Sequence, residues 1–250
     1  MAKIIDCVCC WYDLLGFGKP FIDSEWELNT AECKKNIERI ENLNVSFTGS
    51  FSLTLGKTFS LNDGVIKNRD FNYDNKNDVV GLLRFIAALV WDFEGINKWD
   101  KDNGHPGVRG VVTYGKRFSY ESADGCYDVV RGIDVAYHPK EFQMNTAFSK
   151  AYIIEESGSK KGIQGPHLFW DKRVFEKLAQ YVENSEYSDR LYCKEYDIDD
   201  EHVFEIGDEI GWAFRCFFDK QPIEYDYKGI KTHIFKMKKS RTQRGTTLYG

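Results

Sequence analysis

Apolar and polar positions divide the chain into short, well-marked stretches. The first, Ile4–Lys19 (IIDCVCCWYDLLGFGK), is uninterruptedly small or apolar from Val8 to Trp11, as expected of a central strand covered on both faces. It ends on Asp13 and runs into the small-residue turn LLGFG. Asn29–Leu43 repeats Cys33, Ile37, Ile40 and Leu43 at helical spacing, with Asn29 or Thr30 available as a cap. In SFSLTLGKTFSLNDGVIKN, glycines bound the segment and Asn62-Asp63-Gly64 separates two short strands, which predicts a hairpin with Asp63 at its tip. Asp78–Phe93 predicts a helix, with Leu82, Phe85, Ile86, Leu89, Val90 and Phe93 forming a broad apolar face. The polar, glycine-containing Gly95–Gly107 predicts a loop.

The second half continues the pattern. Val108–Tyr120 predicts a strand and Tyr127–Tyr137 a second strand pairing with it. Phe142–Glu156 predicts a helix closed by Ser157-Gly158, His167–Trp170 a short strand after Pro166, and Lys172–Asn184 an amphipathic helix. Arg190–Asp197 and Val203–Ile206 are short strand candidates, and Ile223–Met237 a terminal hairpin. The basic, polar stretch KKSRTQRGTTLYG predicts a frayed tail. We divide the chain into one domain over 1–238 and a flexible basic tail over 239–250. Strand, helix, hairpin, helix, strands and helices in this order describe an α+β fold of the ferredoxin-like, palm type: a central mixed or antiparallel sheet, covering helices and a C-terminal β elaboration. In that layout the end of the first strand and the tip of the hairpin are neighbours, so Asp13 and Asp63 converge.

Composition narrows the class. At 250 residues, 42% apolar and 29% charged, the chain suits a soluble globular protein, and 15% aromatic content predicts a ring-rich core or binding surface. A net charge of −5 argues against nucleic acid as a partner. No apolar run reaches the roughly 18 residues of a membrane span. MAKIID does not read as a signal peptide, and the seven cysteines, of which Cys7, Cys9 and Cys10 lie inside the apolar strand, read as buried thiols, so a cytoplasmic location is expected.

The chemistry lies in the acidic pair. Two carboxylates on neighbouring strands beside a glycine turn suit two hard divalent cations, Mg²⁺ or Mn²⁺, which take oxygen ligands and keep positions open for phosphates. The glycines let main-chain N–H groups approach an anion. The same residues are compatible with a core strand ending in a capped turn and with two unrelated aspartates, and on residues alone these readings stand together. GxSxG and P-loop frames are absent, and the five histidines are scattered without ligand spacing.

WYDLLGFG resembles the opening motif of class III nucleotidyl cyclase domains, an aspartate followed by a hydrophobic-x-Gly-Phe turn. SLNDGVIKN resembles that family's second metal segment, VRGVVTYG its Arg-Gly strand, SKAYIIE its Ala-Tyr-x-Leu/Ile-Glu helix, GPHLFWD the following proline-led strand, and YKGIKTHIFKM the closing Lys-Gly hairpin. The segments occur in the family's order over nearly the whole chain. AYIIE with RGVVTYG is nearer to the bacterial anti-phage pyrimidine cyclases of Pycsar type than to adenylate cyclases. The resemblance implies a homodimer, a nucleoside triphosphate substrate, cyclic UMP or cyclic CMP as product, and an effector that senses it. It implies that Asp13, Asp63 and the Leu14 carbonyl hold two metal ions, that backbone groups of Gly16, Phe17 and Gly18 face the triphosphate, and that Lys228, with Arg109, contacts phosphates.

Departures from the pattern bear on specificity and activity. Ser149 and Ile153 stand where adenylate cyclases carry an asparagine and an arginine that stabilise the transition state, and Phe59 stands at the place of their base-reading lysine. Lys116, Arg117 and Arg69 are substitute cations. Of the rings Trp11, Tyr12, Phe17 and Phe59, Phe17 is the stacking candidate because it sits in the turn. An inactive, nucleotide-sensing or scaffold relative is the alternative from a different class; a palm-type polymerase is separated from a cyclase by product length.

Overall fold

The computed structural model describes residues 3–48, 55–75, 78–119, 126–130, 133–137 and 144–243. β1 (Lys3–Leu14) lies inside a ten-stranded sheet, between β3 (Gly64–Asp70) and β4 (Val108–Ser119), with β2 (Lys57–Leu61) outside β3. Beyond β4 follow β7 (Leu168–Asp171), β12 (Ile230–Gln243), β10 (Ala213–Asp219), β9 (Glu201–Asp208) and β8 (Leu191–Ile198), while β11 (Ile223–Tyr227) forms a hairpin with β12. All pairings in this sheet are antiparallel except β4 with β7. This is the α+β, palm-type layout predicted from the order of elements.

Alternation along β1 explains its central place. Val8, Cys10, Tyr12 and Leu14 enter a core with α3 (Asp78–Asp102) and α5 (Lys172–Glu183), while Cys7, Cys9 and Trp11 enter a second core under α4 (Thr146–Ser157). A strand buried on both faces needs apolar residues at every position, which is the run seen in the sequence. The remaining helices, α1 (Lys19–Asp23) and α2 (Ala31–Thr48), follow β1 directly. No described helix is long and apolar enough to cross a membrane.

Several expectations are corrected. α2 continues past Leu43 to Thr48, and α3 continues through Gly95 to Asp102, because Phe93, Ile96 and Asp100 carry the buried face on at helical spacing. Tyr127–Tyr137 is not one strand beside β4: β5 (Cys126–Val130) and β6 (Ile133–Tyr137) pair with each other as a separate two-stranded sheet. α4 begins at Thr146, where the Asn145 side chain accepts from Phe148 N at 3.0 Å; residues 142 and 143 of the expected helix lie outside the described residues, as do 50–54 of the hairpin segment. β10 was not expected at all. The basic stretch from Lys238 is not frayed as far as Gln243, since β12 pairs there with β10 and the Lys239 and Arg241 side chains lie over the Phe217 ring at 4.9 and 5.3 Å. Residues 244–250 lie outside the described residues.

Candidate active site

The site is built where β1 ends. Asp13 pairs with Gly64 on β3 and with Arg109 on β4, and Leu14 N donates to Asp63 O at 3.2 Å. Asp63 is therefore one residue past the Asp13 partner, in a ladder where paired Cα atoms stand about 4.5–5.5 Å apart. Asn62 (φ 53°) and Asp63 make the two-residue tip between Leu61 and Gly64. Gly64 is required by contact: a Cβ there would fall 2.5 Å from Trp11 Cζ2. The Trp11 ring is held in turn by Phe148 and Tyr152 of α4, at 6.2 and 6.0 Å.

Cross-strand partners share a face, so Asp13 and Arg109 leave the sheet together on the α4 side. There Glu155 meets Arg109 at 2.8 Å from Nε and 2.6 Å from Nη2, while Arg109 Nη1 donates to Ile163 O at 2.9 Å. Burial first, then the negative charges of Glu155 and Asp63, push the Asp13 carboxyl up to about 8, against the pull of Arg109 and Arg39. Glu155 is thus a third carboxylate in the field of Asp13. It belonged to the AYIIE segment, yet nothing in the sequence tied it to Arg109, 46 residues away.

The donor set fits a hard divalent cation. Positive charge between Asp13 and Asp63 would relieve their opposition, and both offer carboxylate oxygens. The N–H of Leu14 faces the hairpin, donating to Asp63 O, while its carbonyl opens into the turn that follows. That carbonyl accepts from Phe17 N at 3.3 Å. Among the described residues no group of three or more His, Cys, Asp or Glu side chains converges as a metal cage. Two carboxylates leave positions open, as Mg²⁺ and Mn²⁺ sites do.

The other expected residues are placed as follows. Gly16 has φ 68°, which turns the chain after Leu15, and Gly18 precedes α1. Phe17 does not present its ring for stacking: it is 9% exposed, packs on Phe21 at 5.3 Å, and its carbonyl accepts from Asn36 Nδ2 at 2.6 Å. The expected ring cluster is split by strand alternation, Trp11 and Phe59 lying on one face of the sheet and Tyr12 and Phe17 on the other. Lys228 sits exposed at the β11–β12 turn and pairs with Glu156 at 2.8 Å. Ser149 donates its hydroxyl to Asn145 O at 3.0 Å.

Lys116, Arg117 and Arg69 are not at the site. Arg69 pairs across from Val8 and Lys116 from Asp6, five and seven residues up β1 from Asp13, or roughly 17–23 Å at the rise of a strand. Each is held there by a carboxylate: Arg69 by Asp78, Lys116 by Asp6 at 2.8 Å, Arg117 by Asp70 at 2.5 Å.

No family profile matches the sequence, and no curated protein matches it. Among solved structures the chain is similar to the adenylyl cyclase CyaB from P. aeruginosa, at 11% identity and a TM-score of 0.48, over 96% of this chain and 97% of that one. It is similar to the guanylyl cyclase Cya2 at 14% identity and a TM-score of 0.42, over 94% of this chain and 93% of that one. It is also similar to the guanylate cyclase domain of RhGC from Catenaria anguillulae, solved in complex with GTP, at 10% identity and a TM-score of 0.44, over 94% of this chain and 98% of that one.

Proposed function

We propose that this chain is a metal-dependent nucleotide cyclase. The 3′-hydroxyl oxygen of a nucleoside triphosphate bonds to its own α-phosphorus, the bond from that phosphorus to the bridging oxygen breaks, pyrophosphate leaves, and the hydroxyl proton passes to solvent. The observation that supports this reading is that Asp13 ends the central strand against the hairpin tip that bears Asp63, whose charge acts on the Asp13 carboxyl, beside a glycine turn. Two Mg²⁺ or Mn²⁺ ions, when bound there, would supply charge neutralisation and a lowered hydroxyl pKa. Asp13 and Asp63 would hold that charge, and main-chain N–H groups of the turn would orient the triphosphate. Lys228 would contact phosphates by giving up its exposed pair with Glu156. Arg109, fixed by Glu155 beside Asp13, would set the local field.

The finer reading rests on the sequence resemblance. It is a pyrimidine triphosphate, UTP or CTP, as substrate, a cytoplasmic homodimer with composite sites, and a cyclic product read by an effector as a signal in anti-phage defence. Phe59 in place of a base-reading lysine supports a base other than adenine.

One observation favours a second reading, a catalytically silent nucleotide-sensing or scaffold protein. Ser149 bonds within its own helix, Ile153 is apolar, and the substitute cations are tied far up the strands. Thermal melting tests the metal and triphosphate site that the cyclase reading requires. Mn²⁺ with triphosphate should raise the melting temperature, and Asp13→Asn or Asp63→Asn should abolish the rise. A wild-type protein that responds to neither metal nor nucleotide would remove the cyclase reading.

A further inference from the structure

We propose that Arg39, clamped by Asp100 and assisted by Asn36, is the positioning residue of the turn after β1, fixing its peptide planes so that the Gly16 and Gly18 N–H groups are presented to a bound polyphosphate. The inference rests on the reading of Asp13, Leu14 and Asp63 as a cation and phosphate site. Arg39 lies on α2 and Asp100 on α3, 61 residues apart, and each side chain is 1% exposed. Their contact is bidentate, Nε to Oδ1 and Nη2 to Oδ2, both 2.8 Å. Arg39 Nη2 also donates to Leu15 O at 3.1 Å, and Asp100 Oδ2 accepts from Gly107 N at 2.9 Å. Gly107 O in turn accepts from Leu15 N at 3.0 Å. Both main-chain groups of Leu15 are therefore locked into one ring of bonds around the buried pair. Asn36, nearly one helical turn before Arg39, holds Phe17 O at 2.6 Å.

Peptide planarity carries the consequence. In a trans peptide the N–H of each residue points opposite to the carbonyl before it. With the Leu15 and Phe17 carbonyls drawn toward α2, the N–H groups of Gly16 and Gly18 are turned away from it. The intervening Phe17 N–H is used internally, on Leu14 O. Alternate N–H groups facing one side make an anion-binding concavity. A buried ion pair between helices is often no more stabilising than apolar residues of similar volume. The added bonds to Leu15 and Gly107 give this one a task that apolar residues could not perform.

The test uses the full chain with Arg39→Met and Asp100→Leu together, which replaces the pair with apolar volume. Two readouts are taken: amide hydrogen exchange over residues 14–19, and titration with Mn²⁺ and inorganic tripolyphosphate. Faster exchange in the turn and an affinity loss of about 10–100-fold, with the melting transition kept, are expected. If that pair of changes prevents folding, Arg39→Lys serves: a single ammonium cannot span Leu15 O and both Asp100 oxygens, and the same two changes are expected. Unaltered exchange in the turn and unaltered tripolyphosphate affinity in a folded variant would overturn the inference. A wild-type protein that binds no Mn²⁺-tripolyphosphate would instead overturn the site reading, while the exchange data would still decide whether the pair orders the turn.

Discussion

Replacing Gly64 by alanine probes a side-chain contact that couples the hairpin to the rest of the site. An added Cβ would fall against Trp11 Cη2 and stand 2.5 Å from Cζ2 and 2.6 Å from Cζ3. Ordinary contact between carbons begins near 3.5 Å, so the ring or the strand must yield by roughly 1 Å or more. The ring cannot yield freely, because Trp11 is 4% exposed and bounded by Phe148 and Tyr152. Overpacking of this kind costs about 1–3 kcal/mol. At about 2–4 °C per kcal/mol for a chain of this size, the melting temperature should fall by roughly 2–12 °C. Any yielding of β3 moves Asp63 against Asp13, so the Mn²⁺-dependent rise in melting temperature should shrink as well. Thermal melts with and without Mn²⁺ measure both. In a Trp11→Leu background the clash has no partner, and the cost of Gly64→Ala should drop to within about 0.5 kcal/mol. Equal cost in the two backgrounds, or a neutral Gly64→Ala with full Mn²⁺ response, would refute the reasoning.

Other outcomes follow from buried charges. Asp92→Ala strips the carboxylate from Lys67, whose side chain is 0% exposed and paired at 2.7 Å, and should cost about 3–5 kcal/mol in urea unfolding. Lys67→Met combined with Asp92→Leu should be far better tolerated, because both charges leave together and neither is left without a partner. Burial pushes the Glu205 carboxyl up, but Arg215, Tyr196, Tyr192 and Lys194 outweigh it and hold the group down at about 2, from an ordinary 4.5. The unfolded chain takes up that proton first as the pH falls, so the contribution, about 3 kcal/mol, is fully present above pH 4.5 and lost as the pH drops through about 2. Urea midpoints between pH 6 and 2 should therefore fall more steeply in wild type than in Glu205→Gln.

The sequence made the centre of the fold legible and its periphery less so. β1 is apolar on both faces, and the Asn62-Asp63-Gly64 turn carries its own conformational requirement, so the strand, the hairpin and the pairing of its tip with the end of β1 could be derived locally. β10 escaped because Ala213, Phe214, Cys216, Phe217 and Phe218 are buried together, so no period-two signal marks the strand. The end of α3 escaped because its inward face closes on a charged residue, Asp100, which reads as a surface position until Arg39 is found beside it. At the site, Glu155 and the Arg39 anchor depend on helices crossing strands, and no spacing along the chain announces such contacts. Phe17 looked available because it sits in a turn, whereas α1 and α2 fold over it.

The central claim, that the two aspartates serve a cyclisation, is tested most directly by product. The purified protein is incubated with each of the four ribonucleoside triphosphates and Mn²⁺, and the products are read by mass spectrometry. A 3′,5′-cyclic mononucleotide, expected from UTP or CTP and lost in Asp63→Asn, is the predicted result. No cyclic product from any triphosphate, in a folded protein that binds Mn²⁺, would contradict the account and leave the silent nucleotide-sensing reading in its place.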